Sequence, residues 1–260
     1  MSKNKSSEPR TSGARSHQVE AIVAQLRAMG TEESRAGMAR FAIRTEQAFG
    51  VSVYDLRKVA KTIGTDHELA IALWATANHE ARLLACFVDD PSAVSAEQMD
   101  AWVREFDSWD ICDQATTSLF DLTGHAWDKA VEWAVREEEW VKRGGFALMA
   151  GLAVHDKTAD DASFVSLLAL VRQEARDDRN FVKKAVNWAL RNIGKRNLVL
   201  NAAAIECAEG ILEAANRAAG APRGGDAGIR AARWIATDAL RELRSEAVQA
   251  RLRKRGKAGG

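Results

Sequence analysis

The stretch "NFVKKAVNWALRNIGKRN", Asn180 to Asn197, decides the fold. At about 100° per residue, Val182, Val186, Ala189, Leu190 and Ile193 fall on one stripe, and Lys184, Trp188, Arg191 and Lys195 lie on the far side. An apolar stripe of that kind belongs to a helix that buries one face. The same texture, a basic residue followed by small and apolar residues, recurs in "EARLLACFV" (80–88), "VKRGGFALMA" (141–150) and "IRAARWIATDAL" (229–240). Arg82, Arg143, Lys184 and Arg230 stand 61, 41 and 46 residues apart, close to the ~40–47 residues of HEAT-type helix pairs. An Ala-rich helical protein without true repeats would echo in a similar way. The repeat reading predicts an all-α fold, an α-solenoid superhelix of HEAT-like helical repeats whose second helices line a concave groove.

The remainder of the chain agrees. Only three prolines interrupt 260 residues, and β-branched runs are scarce, so no strand is expected. Loop signals at "GVSV", "IGTD", "DDPSAVS", "LTGH", "HDKTADD" and "NRAAGAPRGGDAG" separate a dozen or more helices, the last spanning 216–228 as the longest internal loop. We expect a polar disordered tail over 1–16, one helical domain over 17–253 and a disordered basic tail over 254–260. Cys86, Cys112 and Cys207 have no metal or disulfide spacing and read as buried thiols in a reducing compartment. No apolar run is long enough to span a bilayer, and no signal segment opens the chain, which is read as cytoplasmic. The net charge is only +1, but Arg172 to Arg196 is strongly basic, "RLRKRGK" adds a second basic block, and Glu97 to Glu139 is acidic.

"FDSWDICDQATTSLFDL", Phe106 to Leu122, repeats the geometry of the opening stretch. Ile111, Ala115, Leu119 and Leu122 share one stripe, with Trp109, Asp113, Thr116 and Phe120 opposite. Indoles set among cations away from the core stripe suit nucleic acid: charges bind the phosphates and flat rings pack on sugar or base. The blander possibility is that each indole fills an inter-helix groove.

"SWDICD", followed some 75 residues later by "FVKKAVNWALRNIGK", resembles the AlkD-type DNA glycosylases, the HEAT-like-repeat family of DNA alkylation repair. The resemblance runs from "MARFAIRTEQAFGVSVYDLRKVAK" through Asn197. It implies a solenoid cradling duplex DNA in a basic groove and hydrolysing the N-glycosidic bond of N3- and N7-alkylated purines, such as 3-methyladenine and 7-methylguanine, without base flipping. Carried over residue by residue, it implies Asp113 as the catalytic carboxylate and Trp109 and Trp188 as the indoles flanking the lesion sugar. It also implies Arg143, in "WVKRGG", beside the site. The resemblance and the basic helix together nominate Arg143, Lys184, Arg191 and Lys195 for DNA contact. The expected partner is double-stranded DNA carrying alkylated purines, bound by a monomer, nucleoid-associated when on DNA.

That chemistry needs few groups. An alkylated purine is cationic and already a good leaving group, so one carboxylate suffices to stabilise the oxocarbenium-like sugar and to position or deprotonate water. Cation–π attraction from the indoles adds about 0.5–2 kcal/mol. No cofactor and no metal are expected, since His67, Glu68, His79 and Glu80 lack HExxH spacing. Glu80 and Arg82 read as structural, Trp74 as core, His125 and His155 as helix caps, and Trp102, Trp127, Trp133 and Trp140 as inter-helix packing. Two other readings stay open: a catalytically silent relative binding damaged or branched DNA, and a HEAT-like protein-interaction scaffold.

Overall fold

The computed structural model describes residues 12–219 and 226–258. Among them are fourteen α-helices and no strand. The chain divides into two compact units, with the boundary between Ala93 and Val94. The first unit holds α1 (Ser12–Met29), α2 (Glu32–Arg40), α3 (Val53–Ile63), α4 (His67–Trp74) and α5 (His79–Val88). The second holds α6 (Ala96–Arg104), α7 (Trp109–Ser118), α8 (Ala126–Ala134), α9 (Glu139–His155), α10 (Asp161–Glu174), α11 (Asn180–Ile193), α12 (Leu198–Ala219), α13 (Ala227–Leu243) and α14 (Glu246–Ala258).

The helices begin where turn chemistry puts a cap. Ser52, Asp66, Ser95 and Asp160, the polar residues closing four of the loop signals, each accept a hydrogen bond from a backbone N–H in the first turn that follows. Such a cap contributes about 1 kcal/mol by satisfying an otherwise orphaned donor. Asp226 caps α13 in the same way. His125 stands at the N-cap of α8 without a side-chain cap bond, and His155 ends α9 with Nδ1 2.5 Å from the Asp121 carboxylate, so neither imidazole makes the helix-capping bond expected of it. The ends correct the expected tails: residues 12–16 are helical in α1 and 254–258 in α14, because both stretches continue the register of the adjoining helix, across Gly13 and Gly256, with no proline to stop it. The expected loop shrinks too, since 216–219 belong to α12 and 227–228 to α13, while 220–225 lie outside the described residues.

In the first unit Glu80 is fully buried, and its carboxylate accepts the backbone N–H groups of Phe49, Gly50 and Val51 at 2.7–3.2 Å. It is the structural residue the sequence suggested, tying α5 to the loop before α3. Gly50 sits there at φ +86, and a Cβ would lie 2.4 Å from the Thr31 carbonyl oxygen, so glycine is required both by conformation and by space. Arg82 lies over the Trp74 ring, 5.0 Å from its centroid.

In the second unit the helices form two rows. α7 packs on α9, α9 on α11 and α11 on α13; α8, α10 and α12 make the other row, each packed on its partner α9, α11 or α13. Arg143 and Lys184 are the fifth residues of α9 and α11, and Arg230 the fourth of α13, so the sequence echoes mark equivalent places in successive second helices. The fifth residue of α7 is Asp113. The core stripe of α11, Val182, Val186, Ala189, Leu190 and Ile193, is entirely buried as read. The stripe drawn on 106–122 fails at its end. α7 stops at Ser118, Leu119 leaves helical geometry at φ −137, ψ −62, and a 3-10 turn follows over Phe120–Leu122. That turn rotates Phe120 into the core between Trp102, Phe106 and Trp133 and leaves Leu122 57 % exposed. Trp127 packs edge-on to Phe164 and Trp140 against Phe181, so all four tryptophans assigned to packing do pack.

Candidate nucleic-acid site

The site is built around α9, whose residues Val141 to Ala153 are all buried. Such a helix must approach its neighbours closely, and the "RGG" of Arg143–Gly145 permits it. A Cβ on Gly145 would lie 2.5 Å from the Ala134 backbone nitrogen at the end of α8. The close crossing sets the height at which Arg143 emerges between α7 and α11.

Arg143 retains 5 % of its surface. Its Nη2 donates to Asp113 Oδ1 at 2.7 Å on α7, and its Nη1 to the Phe181 carbonyl at 2.8 Å on α11. Phe181 is held in turn by the Trp140 ring, 4.9 Å between centroids. One guanidinium therefore fixes three consecutive helices of the row. It was expected to contact DNA; the geometry makes it the clamp on Asp113.

Asp113 keeps 18 % of its side chain open. Its Oδ2 accepts no hydrogen bond among the described residues, and that oxygen is the free edge. Burial pushes the carboxyl up, Arg143 pulls it part of the way back and the neighbouring Asp110 adds a small push upward, so that it stands raised to about 6. At neutral pH the carboxylate is the ionised form. Asp110 is buried in the first turn of α7, where its Oδ1 accepts the Ser108 hydroxyl at 2.7 Å and the Ile111 N–H at 3.0 Å, so it belongs to the start of the helix. Trp109 lies one turn before Asp113 and Trp188 sits on α11; both are half-buried. A carboxylate with one oxygen clamped and one free, next to a partly open indole, can stabilise or deprotonate a group brought to it.

The cations nominated for DNA differ among themselves. Lys184 is exposed and has no carboxylate partner among the described residues. Arg191 is bound to Asp238 at 3.2 Å and Glu242 at 2.9 Å, and Lys195 to Glu242 at 2.7 Å. Arg176 and Arg179 are likewise matched by Asp226 and Asp177. Much of the basic block is thus neutralised by acids on α13, at its cap and in the loop before α11. Sequence reading missed Trp234 on α13, 41 % exposed with the Lys183 ammonium 5.7 Å from its ring centroid. The signal for it is an indole among arginines in "IRAARW", a segment whose repeat texture hides it. Among the described residues no three His, Cys, Asp or Glu side chains converge to hold a metal, and no helix is long and apolar enough to cross a membrane.

Residues 22–249 match the model of the DNA alkylation repair enzyme family. The chain belongs to that family. Its fold also matches a solved structure from a new family of proteins related to the HEAT-like repeat DNA glycosylases with affinity for branched DNA structures. The TM-score is 0.65 at 23 % identity, over 74 % of this chain and 82 % of that chain. No curated protein matches it. The span matched to the DNA alkylation repair family runs through both units, and the shared architecture is that of the HEAT-like repeat DNA glycosylase fold.

Proposed function

We propose that this protein is a DNA glycosylase that hydrolyses the N-glycosidic bond of N3- and N7-alkylated purines in duplex DNA without flipping the base. The observation that carries the reading is Asp113 itself: a carboxyl group oriented through Oδ1 by a buried arginine, with Oδ2 accepting no hydrogen bond among the described residues. In the reaction the C1′–N bond breaks and the purine leaves with the bonding electron pair, which cancels its positive charge. The ionised carboxylate stabilises the oxocarbenium-like sugar, and a water adds to C1′ and gives up its proton. Trp109 and Trp188 offer π faces to the sugar and the cationic lesion. Lys184 is free to meet a backbone phosphate, whereas Arg191 and Lys195 do so by exchanging Asp238 and Glu242 for it. The protein acts as a monomer in the cytoplasm, associated with the nucleoid when bound.

A second reading is favoured by the structural relative, whose family has affinity for branched DNA structures: a protein that binds such DNA and releases no base. The two separate on release of 7-methylguanine and 3-methyladenine from methylated duplex DNA, compared for the wild type and Asp113→Asn at equal DNA occupancy. Asparagine keeps an oxygen for Arg143 but removes the negative charge, so release is expected to fall by about 100-fold or more with binding retained. Tight DNA binding without release by either protein gives the second reading.

A further inference from the structure

A cavity of about 620 Å³ opens at the opposite end of α9 and α11 from Asp113. Its lining begins at Ala153, ten residues beyond Arg143, or about 15 Å along α9 at 1.5 Å per residue. Five cations line it, Lys157, Lys195, Arg196, Arg251 and Arg255, and no aspartate or glutamate does. Lys195 is matched by Glu242. Among the described residues no carboxylate pairs with the other four.

The positions of these cations are built. The Arg196 guanidinium donates to the carbonyls of Ala153, Asp156 and Ala159 at 2.6–3.3 Å and stacks 4.1 Å over the Phe164 ring. Those contacts fix its plane without cancelling its charge. Burial pulls its pKa below the usual guanidinium value, with Asp156 and Asp161 offsetting only part, so a nearby anion would stabilise it. Lys157 is tied to the Val154 carbonyl. Arg251 and Arg255 lie one turn apart on α14, exposed, while Val248 and Leu252 bury the other face of that helix. Arg255 Nη1 also reaches the Lys195 carbonyl at 3.5 Å. Cations gathered this closely repel one another unless an anion sits between them. Three guanidinium forks with two ammoniums match phosphoryl oxygens, and the volume falls in the usual range of about 300–1,000 Å³ for a ligand site.

We propose that this cavity is a phosphoryl-oxyanion site, distinct from that of Asp113, which takes a phosphodiester or pyrophosphate group between α9, α11 and α14. It does not depend on the glycosylase reading. The group can belong to a nucleic-acid backbone or to a free polyphosphate compound.

The test uses the full chain and the double variant Arg251→Gln, Arg255→Gln, whose exposed positions leave the helices intact, as circular dichroism verifies. Binding of inorganic pyrophosphate is measured by calorimetry, and binding of undamaged duplex DNA by anisotropy over a range of salt. Pyrophosphate is expected to bind the wild type and to bind the variant at least tenfold more weakly. A fall in the DNA salt slope of about 1.8, or about 0.9 for each of two lost contacts, assigns the site to a nucleic-acid backbone. An unchanged slope with pyrophosphate binding lost assigns it to a free phosphate compound. Equal pyrophosphate affinity of the two proteins, or no pyrophosphate binding with an unchanged slope, overturns the proposal.

Discussion

Asp113 and Arg143 are best understood together. Release of alkylated base that needs ionised Asp113 is expected to fall as the pH drops through about 6, tenfold per unit well below it, a dependence measurable by single-turnover kinetics. Arg143 pulls the Asp113 pKa down, so Arg143→Gln is expected to move that acid limb to higher pH, and Arg143→Lys to return it most of the way. A purely structural role for Arg143 would lower the amount of folded protein and leave the limb in place. Removing one partner of a buried pair costs about 3–5 kcal/mol, so the comparison is made on folded fractions. Trp109 and Asp113 were legible because they lie one helical turn apart, off the stripe of Ile111 and Ala115 that the helix buries. The clamp was not, since Arg143 reaches Asp113 across thirty residues, and a charge in a sequence does not name its partner. For the same reason Arg191 and Lys195 read as free cations when they are paired.

Among the elements, α9 is the most demanding. Gly145→Ala places a methyl against the Ala134 backbone, which cannot move aside as a side chain would. The expected cost is about 1–3 kcal/mol, read as a loss of about 2–4 °C in Tm per kcal/mol. An unchanged Tm would mean that α8 and α9 part at no cost. Helix starts were the most legible parts of the fold because Ser52, Asp66, Ser95 and Asp160 carry cap chemistry in their side chains. The stop of α7 was hidden: no proline or glycine marks Leu119, and the gain from burying Phe120, about 1.5–3 kcal/mol, overrides the continued register. The repeat was legible only as an echo, because one of its positions carries the opposite charge.

Over the whole chain the three cysteines report on folding. Cys86 lies in the first unit and Cys112 and Cys207 in the second, all buried, and burial pushes each thiol pKa up. All three are expected to be silent to a disulfide reagent in native buffer and to react on unfolding in denaturant. A thiol that titrates at once would contradict its burial. All-helical architecture was legible from composition; the division after Ala93 was not, since "DDPSAVS", with Pro91 two residues before the boundary, reads like the other short loops between helices. The ion pair at Asp113 also sets a range. A carboxylate clamped to a guanidinium is a dipole, and a dipole's field dies away faster with distance than that of a lone charge. On the function proposed above, a damaged base would feel little pull until nearly in contact, so that finding DNA and judging it would be separate events, the first governed by unpaired cations elsewhere and the second by one free oxygen.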